Sequence, residues 1–383
     1  MVNARVGAVG PGGGESTVTL FLAGDVMTGR GIDQILPHPS SPEIYEQWLR
    51  SAREYIEVAE HVSGPIPREV DYPYIWGDSL AVLQAAQPAA RIINLETAVT
   101  TSDDHWPGKG IHYRMHPSNL PVLTAAGIDC CVLANNHVLD WGYDGLGETL
   151  ATLRGGGIAV AGAGEDRPSA AAPAIIDLDM GRRILLFAIG HGSSGISPGW
   201  SASDKEAGVW RLAALSSNGI DEVGAAVARF KRRGDIAIAS IHWGGNWGYE
   251  LDPDMRTFAH DLLDHAGIDL VHGHSSHHPL GLEVYNNRLI LYGCGDFIND
   301  YEGIRGHEQF RSDLRVMYLP EIDADSGELV AMRMPVFQSH KFSLRRARDE
   351  DVTWLARELD EQSRRLGDTG IEAGAGELVL RRG

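Results

Sequence analysis

The 383-residue sequence is poor in cysteine and has no long apolar run. Its three cysteines, Cys130, Cys131 and Cys294, cannot all pair, and two of them are adjacent in an apolar stretch, as is typical of buried thiols in a reducing compartment. No segment approaches the roughly 18 uncharged apolar residues of a membrane-spanning helix, and the first twenty residues hold no apolar stretch of signal-peptide length. These absences predict a cytoplasmic protein without a membrane span.

Basic residues are scarce relative to acidic ones. The sequence has 33 Lys and Arg against 52 Asp and Glu, which gives a formal net charge of −19 at pH 7. Such an excess of negative charge opposes attraction to nucleic-acid phosphates and to anionic lipid surfaces. We therefore expect no nucleic-acid partner. A small or polymeric anionic substrate is still compatible with the sequence, because a bound metal ion reverses the field at its own site.

Apolar runs alternate with helical stretches along most of the chain. Hydrophobic residues make up 43% of the sequence, enough for a substantial core. The runs that are typical of buried strands, each followed by polar or histidine-bearing residues, are 18–23, 91–96, 128–136, 183–190, 236–242 and 270–274. Helical patterns fall between several of them, at 145–154, 220–233 and 255–266. The alternation predicts an α/β fold whose ligand sites lie beyond the carboxyl ends of parallel strands.

The same patterns divide the chain into three predicted segments. These are a flexible glycine-rich leader, a main domain and a C-terminal helical extension, at 1–16, 17–340 and 341–383. Residues 41–78 are rich in proline, aromatic and charged side chains and predict a helical insertion near the site. A charged helix is predicted at 349–366. A second sheet, packed on the first, is predicted from strands at 289–294, 314–319 and 329–337.

The densest chemical signal is a histidine cluster directly after one of the predicted strands. The segment VHGHSSHH places His272, His274, His277 and His278 within seven residues. Neutral imidazole is the commonest metal ligand at physiological pH, and a loop that leaves a strand end can direct several rings at one point. The cluster therefore predicts a metal site. The three cysteines form no Cys-x-x-Cys pair, which argues against a structural zinc site built on thiolates.

Further candidate ligands stand at the ends of other predicted strands. They are Asp25, Glu96, Asn136 and His242. Because the carboxyl ends of parallel strands meet at one crevice, we expect these side chains and the histidine cluster to form a mixed nitrogen and oxygen cage. Such a cage suits Mn²⁺, Fe²⁺ or Zn²⁺. With two ions, a bridging carboxylate, for which Glu96 is the candidate, would let the pair act on both the attacking and the leaving oxygen of a hydrolysis.

Six ordered motifs carry a resemblance to a known family. In chain order they are GDVMTGR at 24–30, NLET at 94–97, ANNHVLDWG at 134–142, HWG at 242–244, GHSSH at 273–277 and GCGDF at 293–297. Together they resemble the CapA/PgsA family of poly-γ-glutamate capsule-synthesis proteins, which is similar to the calcineurin-like metallophosphoesterases. The resemblance covers most of the chain. It implies an α/β fold of the calcineurin-like type, a two-sheet α-β-β-α sandwich.

The resemblance also implies roles for individual residues. The positions that match metal ligands are Asp25, Glu96, Asn136, His242, His274 and His277, with Glu96 standing where the superfamily has a bridging aspartate. His137 matches a histidine poised near the leaving oxygen of the substrate, and Asp140 is predicted to orient His137. The candidates for holding an anionic substrate are Arg30, Lys109, Arg114 and His278.

Two departures from the superfamily pattern leave open whether one ion or two is bound. Met27 stands where the pattern has a histidine, and two residues rather than one separate His274 from His277. The leading hypothesis is a metal-dependent hydrolase in which metal-activated water attacks a phosphoester, an amide or a γ-glutamyl bond. The alternative is a non-catalytic accessory protein that binds a γ-glutamyl polymer or assists its synthesis. The sequence does not identify the substrate, the metal or the oligomeric state.

Overall fold

A computed structural model describes residues 17–382, apart from the side chains of Met180 and Arg382. The predicted leader at 1–16 lies outside the described residues. Numbered in chain order, the strands are β1 (Thr17–Val26), β2 (Ala90–Leu95), β3 (Ala98–Val99), β4 (Arg114–Met115), β5 (Cys130–Val132), β6 (Ala159–Ala161), β7 (Ala163–Gly164), β8 (Ala174–Asp177), β9 (Arg183–His191), β10 (Gly208–Val209), β11 (Arg211–Leu212), β12 (Ile236–His242), β13 (Leu270–His274), β14 (Leu282–Tyr285), β15 (Arg288–Leu291), β16 (Asp296–Ile298), β17 (Leu314–Val316), β18 (Leu319–Asp323), β19 (Leu329–His340), β20 (Ser343–Arg346), β21 (Thr369–Ala373) and β22 (Glu377–Arg382).

Between the strands the described residues form the helices α1 (Gly31–Ile35), α2 (Ala52–Ser63), α3 (Ser79–Ala86), α4 (Pro121–Ala125), α5 (Gly142–Gly155), α6 (Arg167–Ala171), α7 (Ser217–Phe230), α8 (Pro253–His265) and α9 (Asp349–Leu366). Side chains cap the N-termini of α2, α6 and α8. At the start of α8 the Asp252 side chain accepts a hydrogen bond from the Asp254 amide, and Pro253 occupies the first turn, where no backbone donor is needed. Within the described residues, every helix is too short or too polar to cross a membrane.

Two large sheets hold most of the strands. The first has the order β21-β22-β19-β18-β1-β2-β5-β6, with β16 beside β1 and with β17 and β20 beside β19. The second has the order β11-β9-β12-β13-β15-β14, with β8 beside β9. β1, β2, β5 and β6 pair in parallel, and so do β9, β12 and β13. The chain is thus a mixed α/β protein, and several parallel strands of each sheet direct their carboxyl ends to one edge.

Alternating side chains on the parallel strands separate the core into clusters. Leu22 of β1 and Ile238 of β12 belong to one buried cluster that includes residues of both sheets. The neighbouring Phe21 belongs to a second cluster, which also contains residues of α2 and α5, and Ala237 belongs to a third, which contains residues of α7 and α8. Because successive side chains of a strand point to opposite faces, neighbouring residues of β1 and of β12 belong to different clusters.

The prediction that strands at 289–294, 314–319 and 329–337 form one sheet is wrong, because β15 belongs to the second sheet and the strands that follow it belong to the first. β17, β18 and β19 belong to the first sheet, where β18 pairs antiparallel with β1, whereas the second sheet is built around β9, β12 and β13. β18 occupies a backbone edge of β1 that β2 leaves unpaired, and an unpaired strand edge is costly to leave exposed. The segment 341–383 contains α9, as predicted, and in addition β20, β21 and β22, of which β20 and β22 pair with β19. The proposed domain boundaries remain predictions.

Candidate metal centre

Strand pairing brings the candidate ligands together at one edge of the two sheets. Asp25, near the end of β1, lies opposite Asn94 of β2 on one side and Asp296 of β16 on the other. His242 and His274 are the last residues of β12 and β13 and lie opposite each other in the second sheet. All five side chains are buried. The parallel register, rather than proximity in sequence, therefore creates the cluster.

One group of possible ligands joins the two sheets and consists of Asp25, His242 and His274. One ligand atom from each lies within 4.8 Å of the others. The Nδ1 atoms of the two histidines are 2.8 Å apart, and His274 Nδ1 is 3.8 Å from Asp25 Oδ1. Burial lowers the pKa of both histidines well below its usual value. Both rings are therefore neutral, the form in which imidazole binds a metal ion.

A second group shares Asp25 with the first and adds His277 and Asp296. Its ligand atoms also lie within 4.8 Å of one another, and His277 Nδ1 is 2.9 Å from Asp296 Oδ1. Burial would lower the pKa of His277, but the charge and the hydrogen bond of Asp296, together with the charge of Asp25, outweigh burial and raise it. Asp25 is thus the carboxylate shared by the two candidate groups, and the bridging role of Glu96 stays a prediction.

Glu96 faces the same space from the end of β2. Its Oε1 lies 3.7 Å from His137 Nε2 and 4.0 Å from His242 Nε2. Asn136 Oδ1 lies 3.0 Å from His242 Nε2, so this amide oxygen also reaches the cluster. The six residues predicted as metal ligands therefore lie in one cluster. Their individual roles as ligands stay predictions.

Two buried carboxylate oxygens of the cluster have no hydrogen-bond partner. They are Asp25 Oδ2 and Glu96 Oε2. Burial is the main reason that the pKa of Asp25 rises to about 7 and that the pKa of Glu96 rises well above its usual value; nearby carboxylates raise both further. Buried carboxylates without sufficient counter-charge are costly. A divalent cation would supply the missing charge and the missing contacts, so the donor set fits a metal ion.

His137 lies in a buried chain of polar contacts next to these carboxylates. Its Nδ1 is 2.6 Å from Asp140 Oδ2, which also accepts a hydrogen bond from the Tyr113 amide at 2.7 Å. Lys109 Nζ donates to Asp140 Oδ1 and to the backbone carbonyl of Asn136. Burial raises the pKa of Asp140 to about 6 despite the lysine. Asp140 therefore fixes the ring orientation of His137, whose Nε2 faces Glu96.

A cavity of about 470 Å³ opens beside this chain of contacts. Its lining includes Glu96, Lys109, Asn136, His137 and His277. This volume lies within the range of small-molecule sites in proteins. Candidate metal ligands and the Lys109, His137 and Asp140 contacts therefore border one space in which a substrate could bind.

Three residues predicted to hold substrate have other contacts. The Arg30 guanidinium donates to Asp300 Oδ1 at 2.5 Å and to Glu46 Oε1 at 2.9 Å, and all three side chains are buried. Arg114 donates to the Ser102 carbonyl at 2.6 Å. His278 is buried, and both of its ring nitrogens lie within hydrogen-bond distance of backbone groups. Their positions give the predicted substrate contacts no support, in contrast to that of Lys109.

The sequence analysis did not select Asp296 as a ligand. Asp296 is part of the GCGDF motif. It begins a short strand, however, whereas the ligands predicted from the sequence follow long apolar strands. Its pairing with β1 is what brings it to Asp25. Met27 is buried, and both candidate ligand groups are complete without a donor at position 27.

The fold and the site define an α/β protein with a cluster of potential metal ligands at converging strand ends. The family model of the bacterial capsule synthesis protein PGA_cap matches residues 19–301, and the chain belongs to that family. It is 46% identical over 356 residues to a probable polyglutamine synthesis accessory protein of Mycobacterium tuberculosis, with 93% of each chain covered. It is 25% identical to the PGA biosynthesis protein CapA of Bacillus subtilis, covering 79% of this chain and 68% of the relative. The predicted resemblance to CapA is thereby confirmed.

Proposed function

We propose that this chain is a metal-dependent hydrolase that cleaves a phosphoester, an amide or a γ-glutamyl bond in an anionic substrate. The supporting observation is the pair of partnerless buried carboxylate oxygens, on Asp25 and Glu96, among neutral imidazoles. One divalent cation would be held by Asp25, His242 and His274, and a second by Asp25, His277 and Asp296. Glu96 and Asn136 would complete the oxygen ligands. The mixed donor set suits Mn²⁺, Fe²⁺ or Zn²⁺.

The chemistry follows from which groups face the cavity. A bound divalent cation would lower the pKa of a water molecule and polarise the scissile group. His137 would transfer a proton at Nε2 or stabilise the leaving group, because its Nδ1 is occupied by Asp140. Lys109 would hold Asp140 and Asn136 in place through its two hydrogen bonds while bordering the cavity.

The proposal extends to the fold and to the setting of the protein. We propose that the two packed sheets are a calcineurin-like α-β-β-α sandwich, formed by a domain at 17–340 with an extension at 341–383. In this interpretation the protein works in the cytoplasm. The shared-carboxylate arrangement at the strand ends is the feature that favours this fold type over other mixed α/β architectures.

A second candidate is a non-catalytic accessory role in the synthesis of a polyglutamate-like polymer. It is favoured by the name of the Mycobacterium tuberculosis relatives, probable polyglutamine synthesis accessory proteins. The same cluster could then bind a metal ion for a structural purpose. The two candidates differ in one expectation, which is turnover.

The test combines metal content with turnover. Protein purified without a histidine tag is analysed for bound metal and then assayed, with added Mn²⁺, on 4-nitrophenyl phosphate, bis(4-nitrophenyl) phosphate and γ-glutamyl-4-nitroanilide. We expect bound metal and turnover of one substrate class, both lost in His274→Ala. His260→Ala is the matched control, because His260 contacts Glu283 outside the cluster. Bound metal without turnover would favour the accessory role, and absence of metal would contradict the proposed centre.

A further inference from the structure

The cavity beside the candidate metal centre has a polar lining in its inner part and apolar side chains at its mouth. Its inner part is bordered by polar groups such as Glu96 and His137. Its lining also includes Trp48, which is 76% exposed, and Ile111, which is 38% exposed. Exposed apolar side chains of this size at a cavity mouth favour a ligand that removes them from water.

The loop that carries Trp48 is anchored although Trp48 itself is exposed. The neighbouring Glu46 accepts hydrogen bonds from Arg30 Nη1 at 2.9 Å and from the Tyr55 hydroxyl. Ile44 of the same loop packs in a small buried apolar cluster with Tyr55. The backbone on the N-terminal side of Trp48 is therefore fixed. When a ligand covers Trp48, mainly the side chain and not the preceding backbone then loses conformational freedom, which limits the entropic cost of binding.

A second contact joins this loop to the loop that carries Ile111. The rings of Tyr45 and His105 are stacked, with centroids 3.7 Å apart. His105 and Ile111 both lie in the connection between β3 and β4. Trp48 and Ile111 thus reach one cavity from two loops that are held against each other, so the apolar mouth is preformed.

The cavity has little uncompensated positive charge among its described lining residues. Lys109 is the one lysine or arginine among them, and its ammonium group is paired with Asp140. Glu46 and Glu96 also border the cavity, and the formal net charge of the chain is −19. A row of ligand carboxylates along the mouth would therefore find few cationic partners among the described lining residues.

We propose that the ligand of this cavity has one oxyanion or amide group at the metal centre and an apolar or aromatic group covered by Trp48 and Ile111. The rest of the ligand is therefore not a chain of carboxylates. This inference rests on the proposed function, which defines the group of the ligand that reacts at the metal centre. It adds the chemical class of the part of the ligand next to that group. The neutral side chains of Gln47, Asn246 and Ser275 also belong to the polar part of the lining. They suit hydrogen bonds to the part of the ligand that carries no charge.

The test measures binding of non-reacting probes by calorimetry to the Mn²⁺-loaded full-length protein. We expect phenylphosphonate to bind about ten times more tightly than methylphosphonate, because only the phenyl ring reaches the apolar mouth. In Trp48→Ala the ratio of the two affinities falls towards 1, whereas Trp48→Phe keeps most of the preference. Val62→Ala removes a comparably exposed apolar side chain outside the cavity lining and keeps the full ratio.

The outcomes separate this inference from the proposed function. Equal affinities for the two phosphonates in the wild-type protein would overturn the apolar mouth and leave the metal centre supported. A γ-linked glutamate pentamer that bound more tightly than phenylphosphonate would also overturn it. If neither phosphonate bound to protein that had been loaded with Mn²⁺, the proposed centre would fail and this inference would fail with it.

Discussion

Two glutamates of this chain, Glu96 and Glu283, are equally buried, each 3% exposed, but their surroundings differ. Glu283 accepts hydrogen bonds from Arg256 Nη2 at 2.9 Å and from the Tyr292 hydroxyl at 2.7 Å, and its Oε2 lies 3.0 Å from His260 Nε2. Glu96 has neutral rings nearby and an Oε2 atom with no partner. Burial raises the pKa of Glu96 well above its usual value. At Glu283 burial acts in the same direction, but the three partners outweigh it and lower the pKa.

The comparison distinguishes Glu283, a buried carboxylate that stabilises the fold, from Glu96, a buried carboxylate that is available to a ligand. A structural carboxylate brings its own counter-charges, so that burial costs little overall. At the candidate centre burial instead raises the pKa of both Asp25 and Glu96, with Asp296 adding to the effect at Asp25 and Asp25 adding to it at Glu96, and a bound cation would favour their ionised forms. Raised pKa values of this kind are typical of functional sites, where the residues contribute to binding and not to stability.

The largest expected effect is the loss of metal binding in Asp25→Asn, since Asp25 belongs to both ligand groups. We expect Mn²⁺ affinity to fall by more than the roughly 10- to 100-fold that loss of an outer partner of a metal ligand costs. The measurement is metal content by elemental analysis, together with thermal unfolding at increasing Mn²⁺ concentration. At 100 times the dissociation constant, bound Mn²⁺ should stabilise the wild-type protein by about 2.7 kcal/mol.

Glu283→Gln is the matched control for that experiment, because it neutralises an equally buried carboxylate outside the cluster. It should be stabilised by Mn²⁺ to the same extent as the wild-type protein. Equal Mn²⁺ stabilisation of Asp25→Asn would remove the distinction between the two carboxylates. It would also contradict the assignment of Asp25 as a shared ligand.

A smaller effect is expected at His137, the proposed proton-transfer residue, and at Asp140, which contacts it. Neither residue belongs to a ligand group. His137→Gln should lower kcat by about 10²- to 10⁴-fold, the usual contribution of a positioned acid or base. Asp140→Asn should cost about 10- to 100-fold, because it orients His137 without reaching the reacting atoms. Both variants should retain Mn²⁺, measured on the same samples. Loss of metal in His137→Gln would instead make His137 a ligand.

The sequence was sufficient to predict the α/β class and most of the candidate ligands. Apolar strands followed by polar residues identified Asp25, Glu96, His242 and His274, since parallel strands that end at one edge need no further information to converge. The position of Asp296 depends instead on the pairing of the three-residue β16 with β1. Periodicity in a segment of three residues carries no usable signal, so this candidate ligand was missed.

Substrate contacts were harder to predict than ligands. Arg30 belongs to the GDVMTGR motif and Arg114 lies between two motifs, but Arg30 forms ion pairs with Asp300 and Glu46, and Arg114 forms one with Asp103. Ion pairs between residues up to 270 positions apart are set by packing and leave no local pattern. The assignment of the C-terminal strands to a second sheet failed for a related reason. An apolar strand pattern predicts burial, but it does not specify which sheet edge the strand completes.

The smallest expected effect concerns the stability supplied by Glu283. Because its pKa lies below the ordinary 4.5 in the folded protein, the ionised form stabilises the fold. This contribution is fully present above about pH 4.5 and is lost as the pH falls through the lower folded-state value. At pH 7 we expect Glu283→Gln to lower the free energy of unfolding by about 1–2 kcal/mol, since hydrogen bonds to a charged group are lost but Arg256 is partly exposed.

Urea denaturation of wild-type protein and Glu283→Gln at pH 7 and at pH 3 measures this difference, with both proteins in EDTA. Glu361→Gln is the control, because Glu361 forms an exposed ion pair with Arg365 on α9 and should change stability by less than about 0.5 kcal/mol. The gap between wild type and Glu283→Gln should narrow at pH 3, because the stability supplied by the ionised carboxylate decreases as the pH falls below about 4.5. A gap of the same size at both pH values would mean that packing, and not the ionised carboxylate, stabilises this region.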